Sequence, residues 1–158
     1  MINEVFFNAE GADDGQEFVE LAAAPGTDLS GLHIVGINGA RGNEYIRWTV
    51  REGTVDDSGY YVVGGSDVSG VDLLAEGNIQ NGPDSVVLEE CDGSMIDAVA
   101  YGTFEAGEVA VGEGEPVGDP GEGKSIGRDA ESTDTDDNFV DFSGYDAPSP
   151  GTVNAGRE

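Results

Sequence analysis

Short stretches in which apolar and polar residues alternate, separated by glycine-rich turns, constrain the fold of this chain more than any other feature. In the segment 17–23, for example, Val19 and Leu21 are two residues apart and are predicted to share one face. A period of two places successive side chains on opposite faces of a β-strand. Glycine occupies 26 of the 158 positions and supplies the turns that such a chain needs.

Seven segments with this pattern are predicted to be strands. They are residues 2–8, 17–23, 32–37, 45–50, 60–63, 85–88 and 95–101. Short strands with turn signals between them are typical of an all-β fold in which two antiparallel sheets pack face to face as a β-sandwich. The predicted core consists of Val5, Phe7, Phe18, Leu21, Ile34, Trp48, Val62, Val87, Ile96, Val99 and Phe142. The length fits a single domain over residues 1–158.

Residues 105–123 interrupt the alternation, because glycine, glutamate and proline replace most apolar residues there. A segment of this composition buries little apolar surface to offset its ordering entropy, so we expect a surface excursion. Order is expected to return at Ser125-Ile126-Gly127-Arg128. The sequence Pro148-Ser149-Pro150-Gly151 cannot continue a strand, and we expect it to run as an extended cap over one end of the sandwich.

The acidic excess restricts the partners of this chain. Thirty-three Asp and Glu residues stand against six Lys and Arg residues, for a net charge of -27. Such a charge repels nucleic-acid backbones and anionic lipid surfaces, and no apolar stretch reaches the roughly 20 residues that span a bilayer. We therefore expect no nucleic-acid binding by this module alone and no membrane insertion. The acidity itself has two explanations, which are binding of divalent cations and adaptation to very salty surroundings.

Catalytic chemistry has little support in the sequence, and we predict that the chain is not an enzyme. Cys91 and His33 are the only residues of their types, so a catalytic triad or a zinc site lacks partners. Glu17 and Glu20 could be nominated as the paired carboxylates of a glycosidase. Their odd separation on one strand directs them to opposite faces, which argues against that pairing.

The acidic stretch 134–138 is the strongest candidate for a metal site. Asp134, Asp136 and Asn138 have the alternate spacing that opens an EF-hand calcium loop. Further oxygen ligands are expected from Asp141 and from the first turn. The full candidate set is Asp134, Asp136, Asn138, Asp141, Asp13, Asp14 and Glu17. Calcium suits it because that ion accepts about six to eight oxygens in flexible geometry. The alternative is a solvated turn whose side chains accept hydrogen bonds from nearby amides.

Arg128 is predicted to have a structural role. It is one of few cations in a strongly acidic chain. A guanidinium can hold a buried or half-buried carboxylate through paired hydrogen bonds. We therefore expect Arg128 to form a structural ion pair, with Asp134 or Asp141 as its partner.

Several motifs occur in an order typical of one family and together cover nearly the whole chain. They are Ile2-Asn3-Glu4-Val5, Glu17-Phe18-Val19-Glu20-Leu21, Asp28-Leu29-Ser30-Gly31, Asn81-Gly82-Pro83-Asp84-Ser85-Val86-Val87-Leu88, Asp97-Ala98-Val99-Ala100-Tyr101-Gly102, Ser125 with Arg128, Asp134-Thr135-Asp136-Asp137-Asn138, Asp141-Phe142, and Pro148-Ser149-Pro150-Gly151 with Asn154. In these motifs the chain resembles the lamin-tail domain, an immunoglobulin-like sandwich of nuclear lamins and of many bacterial and archaeal extracellular proteins. It is more similar to the prokaryotic branch.

This resemblance implies a non-catalytic attachment module. Our leading hypothesis is such a module of an extracellular or cell-surface protein, with a protein or cell-surface partner and with calcium at the acidic candidate site aiding its order. Such domains also accompany secreted nucleases, so an accessory domain of a secreted hydrolase is the first alternative. A second alternative is an acidic structural domain of a halophile in which no metal has a role.

Overall fold

The computed structural model describes residues 1–155, and nearly all of its regular structure is β. Its elements are β1 (Ile2–Phe6), β2 (Phe18–Ala22), β3 (His33–Asn38), β4 (Glu44–Thr49), β5 (Tyr60–Gly64), β6 (Leu73–Leu74), β7 (Asp84–Glu89), β8 (Met95–Tyr101), β9 (Ser125–Gly127), α1 (Asn138–Asp141) and β10 (Ser143–Tyr145). Each of the seven predicted segments overlaps one strand, and β9 lies in the segment 125–128 where order was expected to return. The short elements β6, α1 and β10 are additions to the prediction.

The strands form two sheets that pack against each other. The six-stranded sheet has the order β10-β9-β1-β2-β5-β6, and the four-stranded sheet has the order β4-β3-β7-β8. All neighbouring strands pair antiparallel except β5 and β6, which are parallel. The predicted immunoglobulin-like antiparallel β-sandwich is confirmed. No helix within residues 1–155 has the length and apolar character of a membrane span.

The main core lies between the two sheets and contains most of the predicted residues. Its larger members include Ile2, Val5, Phe7, Leu21, Ile34, Trp48, Val99, Tyr101 and Phe142. The rings of Phe7 and Tyr101 stack with their centroids 4.1 Å apart. Full burial of one such apolar side chain contributes about 1.5–3 kcal/mol, so this layer supplies most of the driving force for folding.

Three predicted core residues are buried outside this layer. Phe18 and Val62 pack with Phe6 in a separate cluster, because Val19 and Leu21 take the inward positions of β2. Val87 likewise belongs to a small cluster separate from the main core. Both sheets therefore carry apolar contacts on their outer faces as well.

The prediction that Ile96 belongs to the core is wrong, since 43% of this residue is exposed. Val99 and Tyr101 face the core from β8, so the period of two turns Ile96 away from it. The inward position beside it belongs to Asp97, which is only 2% exposed. A buried carboxylate on the apolar face of a strand requires a partner, and Arg128 is that partner.

The segment 105–123 forms no strand of its own but lies against the outer edge of β8. Val117 exchanges hydrogen bonds with this edge, since its amide donates to Ala100 O and its carbonyl accepts from Gly102 N, both at 2.9 Å. Val117 is buried, with 6% exposure. The excursion thus gains its order from backbone hydrogen bonds and covers part of an edge that would otherwise be open to another strand.

Candidate functional site

Arg128 is buried at the centre of a group of acidic residues that ranges from the buried Asp97 and Asp141 to the exposed Asp134, and we call it the Arg128 cluster. Its other members are Asp97, Glu113, Asp134 and Asp141. The guanidinium is fully buried and lies 3.2 Å from Asp134, 3.2 Å from Asp141 and 3.3 Å from Asp97. The structure thus places Arg128 against both carboxylates named for it from the sequence, and adds Asp97 as a third close partner.

Further contacts of Arg128 tie three parts of the chain together. Its Nε donates to Ile2 O at 2.9 Å and its Nη1 donates to Thr133 O at 2.9 Å. The guanidinium also stacks over the Phe142 ring, 4.5 Å from the centroid, a contact that favours the cation. Arg128 therefore fixes the start of β1 and the loop before α1 to the core.

Four carboxylates surround this one guanidinium, so the cluster carries excess negative charge. Burial and the charges of Asp97 and Asp134 raise the pKa of Glu113 to about 7, with Arg128 acting in the opposite direction. Burial also acts to raise the pKa of Asp141, but hydrogen bonds from Thr135 and Asp137, together with Arg128, lower it below its ordinary value. The lowered pKa of Asp141 keeps it an anion, whereas the raised pKa of Glu113 lets it carry a proton up to about pH 7.

The late acidic stretch does not converge in the way an EF-hand loop would. The Asn138 side chain instead binds backbone: its Oδ1 accepts from Ala100 N and Glu113 N at 3.0 Å, and its Nδ2 donates to Ala98 O at 2.9 Å. Asp136 is exposed and has a positive φ of 58°. Within residues 1–155, the one group of three carboxylates with oxygens inside 4.8 Å of one another is Asp97, Glu113 and Asp134.

The first turn holds a second group, Asp13, Asp14 and Glu17, which we call the first-turn cluster. Glu17 is only 4% exposed, and its Oε2 accepts a hydrogen bond from Ile79 N at 2.5 Å. Its Oε1 is buried without a hydrogen-bond partner, and so is Oδ1 of Asp13. Asp14 accepts from Asn78 Nδ2 at 2.8 Å. Burial raises the pKa of Glu17 to about 8, and the nearby charges of Asp13 and Asp14 add to this effect.

The structure does not join the two acidic groups into the single site that the sequence suggested. Arg128 contacts Ile2 at the start of β1, whereas Glu17 directly precedes Phe18, which pairs with Phe6 at the other end of that strand. Four residue steps along β1 separate the two positions, or about 13 Å at roughly 3.3 Å per residue. Asp134 and Asp13 therefore belong to different sites, and no one ion can bind both groups.

A third buried polar group, which the sequence did not reveal, lies on the outer face of the six-stranded sheet. Glu4 and Glu20 are both fully buried. Glu4 accepts from Ser149 N at 3.1 Å, and Glu20 accepts from Gly151 N at 2.6 Å. The proline-rich segment expected to cap one end of the sandwich is instead held against a sheet face by these two carboxylates. Asn154 extends the same contact by donating to Arg128 O at 2.9 Å.

Glu20 leads to a prediction about pH. Burial raises its pKa from 4.5 to about 7, and the charges of Glu4 and Asp72 contribute. The folded state therefore binds the proton more tightly than the unfolded state, and the stability that this provides is lost as pH rises from about 4.5 to 7. We expect Glu20→Gln to reduce the loss of unfolding free energy between pH 5 and pH 8 by about 2–4 kcal/mol, measured by urea denaturation.

The matched control for this measurement is Glu90→Gln, because Glu90 is exposed. That variant should keep the full pH dependence of the original chain. A Glu20→Gln chain whose stability still falls as steeply as that of the control would contradict the assignment to Glu20.

Neither acidic cluster lines any of four cavities at the surface of the described residues. Four cavities with volumes of about 270, 200, 290 and 410 Å³ lie at the surface, and none of their lining residues belongs to the Arg128 cluster or to the first-turn cluster. The 290 Å³ cavity opens between the two sheets near Leu29 and Leu88. These four cavities thus lie apart from the two acidic clusters.

The short helix α1 presents an exposed apolar pair. Phe139 and Val140 are 67% and 55% exposed. The residues around them are anchored, because Asp137 caps the helix by accepting from Phe139 N, and Asn138 binds the edge of β8. Two large apolar side chains on a firmly held support are suited to contact another surface.

The chain is thus an all-β sandwich in which buried ionisable side chains form hydrogen bonds with backbone atoms of the same fold. Comparison with family models, with curated proteins and with solved structures gives no match for this chain.

Proposed function

We propose that this chain is a non-catalytic interaction module that attaches a protein outside the cell or at the cell surface. One observation carries the proposal: the buried ionisable groups contact backbone amides and carbonyls of this fold instead of lining a cavity. Arg128 binds Ile2 O and Thr133 O, and Glu4 and Glu20 bind the segment around Ser149. These groups serve to hold the scaffold rigid, which is what a binding surface needs.

The exposed pair Phe139 and Val140 is the contact surface in this proposal. Asp136 and Asp137 precede the pair, and the net charge of the chain is -27. A fitting partner is a protein surface that has an apolar hollow with Lys or Arg at its rim, because aromatic anchors supply affinity and opposite charge speeds association. The resemblance to prokaryotic lamin-tail domains supports the extracellular location.

The test is binding of the fluorescently labelled chain to intact cells that produce it. We expect saturable binding that falls at least tenfold when Phe139 and Val140 are both replaced by serine, because the apolar anchor is removed. The matched control is Leu74→Ser, since Leu74 is 65% exposed and lies on a different element. Binding that does not saturate, or that both variants reduce equally, would rule out this surface.

The non-catalytic part of the proposal has its own test. The purified chain should hydrolyse nucleic acid, glycan and ester substrates no faster than buffer does. Turnover that a single substitution abolishes would overturn it. An accessory role beside a secreted hydrolase uses the same surface and differs only in the protein to which the module is joined.

A further inference from the structure

In the buried part of the first-turn cluster, two carboxylate oxygens have no hydrogen-bond donor. Oε1 of Glu17 and Oδ1 of Asp13 are both buried and both lack a hydrogen-bond partner. Glu17 itself is 4% exposed, so water does not solvate its carboxylate as it would at the surface. A buried carboxylate oxygen without a donor costs free energy, and in native proteins such groups are paired or bind a metal.

No basic side chain balances these oxygens. Within residues 1–155, neither Asp13, Asp14 nor Glu17 forms an ion pair with Lys, Arg or His. The Arg128 cluster differs on this point, because the guanidinium already occupies the centre of its carboxylates. A cation added there would be repelled by Arg128, whereas a cation at the first turn meets only negative charge.

Neighbouring backbone lies close around the same turn. A Cβ built on Gly65 would lie 2.4 Å from Gly15 O, so the loop after β5 packs directly on the turn. A Cβ built on Gly15 would lie 3.1 Å from Ser66 Oγ and 3.6 Å from Asp67 Oδ2, which shows that two more side-chain oxygens approach this turn. Side-chain oxygens of the loop after β5 thus lie beside Gly15 in the first turn.

From these observations we infer that the first-turn cluster is a calcium site, with the buried oxygens Oε1 of Glu17 and Oδ1 of Asp13 as its two carboxylate ligands. The three carboxylates of this cluster do not all offer oxygens within 4.8 Å of one another, so Asp14 is not a ligand of the same ion. This goes beyond the proposed function, because it holds whether or not α1 binds a partner. Calcium is the ion that fits, since it takes about six to eight oxygens with loose geometry and completes its shell with water. The bound ion would join the start of β2 to the loops around Gly65 and Ile79.

The test is thermal unfolding of the whole chain after EDTA treatment, with and without CaCl2. Calcium at one hundred times its Kd should raise the Tm by about 5–10 °C, and NaCl at matched ionic strength should not reproduce that rise. Titration calorimetry should give one ion per chain. No calcium response, or an equal response to NaCl, would overturn the inference and would favour acidity as an adaptation to salt.

Variants locate the ion. Glu17→Gln keeps an acceptor for Ile79 N and supplies an amide donor to the unpartnered oxygens, so it should raise the calcium-free Tm while it abolishes the calcium response. Asp13→Asn should also abolish the response, and it decides the matter if Glu17→Gln does not fold. The control Asp136→Asn alters the exposed late acidic stretch and should keep the full response. A response that survives both first-turn changes, or that Asp134→Asn removes instead, would overturn the assignment.

Discussion

Replacing Arg128 by methionine is expected to lower the free energy of unfolding by about 3–5 kcal/mol. Methionine fills similar space, but it leaves Asp97 and Asp141 buried without their cation and removes the donors to Ile2 O and Thr133 O. Removing one partner from a buried charge group is costly because the remaining charges have no solvent. The loss is a large share of the roughly 5–15 kcal/mol that stabilises a typical domain.

Urea denaturation monitored by the fluorescence of Trp48 measures this loss. The matched control is Arg47→Met, because Arg47 also pairs with two carboxylates, Glu44 and Glu89, but its side chain is 35% exposed. Exposed ion pairs contribute about 0–1 kcal/mol, so the control should remain close to the original chain. Equal losses in the two variants would contradict a special role for Arg128.

Replacing Asn138 by alanine is expected to cost about 2–4 kcal/mol, because each buried backbone group left without a partner costs roughly 1–3 kcal/mol. The Asn138 side chain satisfies Ala98 O, Ala100 N and Glu113 N. Its amide therefore joins segment 105–123 to β8. Urea denaturation measures the stability, and sedimentation velocity should show concentration-dependent association through the uncovered edge of β8.

The control for this change is Asn43→Ala. Asn43 is exposed and donates only to the adjacent Glu44 O, at 3.0 Å. Its loss should stay within about 0.5 kcal/mol. If Asn138→Ala is as stable and as monomeric as Asn43→Ala, then segment 105–123 is held by other contacts.

The strands could be predicted because their alternation is local. Val19 and Leu21 share a face whatever surrounds them, so β2 and the sandwich follow from sequence. The error at Ile96 has a physical reason, since alternation cannot place both Ile96 and Val99 on the inward face. Asp97 takes the inward position beside Ile96, and the structure alone shows that it is the third close partner of Arg128.

The rest of the candidate sites depends on contacts between distant parts of the chain. The acidic pattern of the sequence predicted that Asp13 and Asp134 are ligands of one ion. In the fold, β1 separates the two residues, and their separation follows only from strand pairing. The burial of Glu20 likewise depends on the segment around Gly151 lying on the sheet face. No local pattern distinguishes such a glutamate from a solvated one.

The position of β1 has a mechanical consequence. It lies inside the six-stranded sheet, between β2 and β9, and Arg128 holds its first carbonyl. Tension applied to the chain at residue 1 would have to shear two ladders of hydrogen bonds at once and also extract a guanidinium from four carboxylates. Load applied at residue 1 would therefore pass into a strand that is paired on both sides and held by a buried guanidinium.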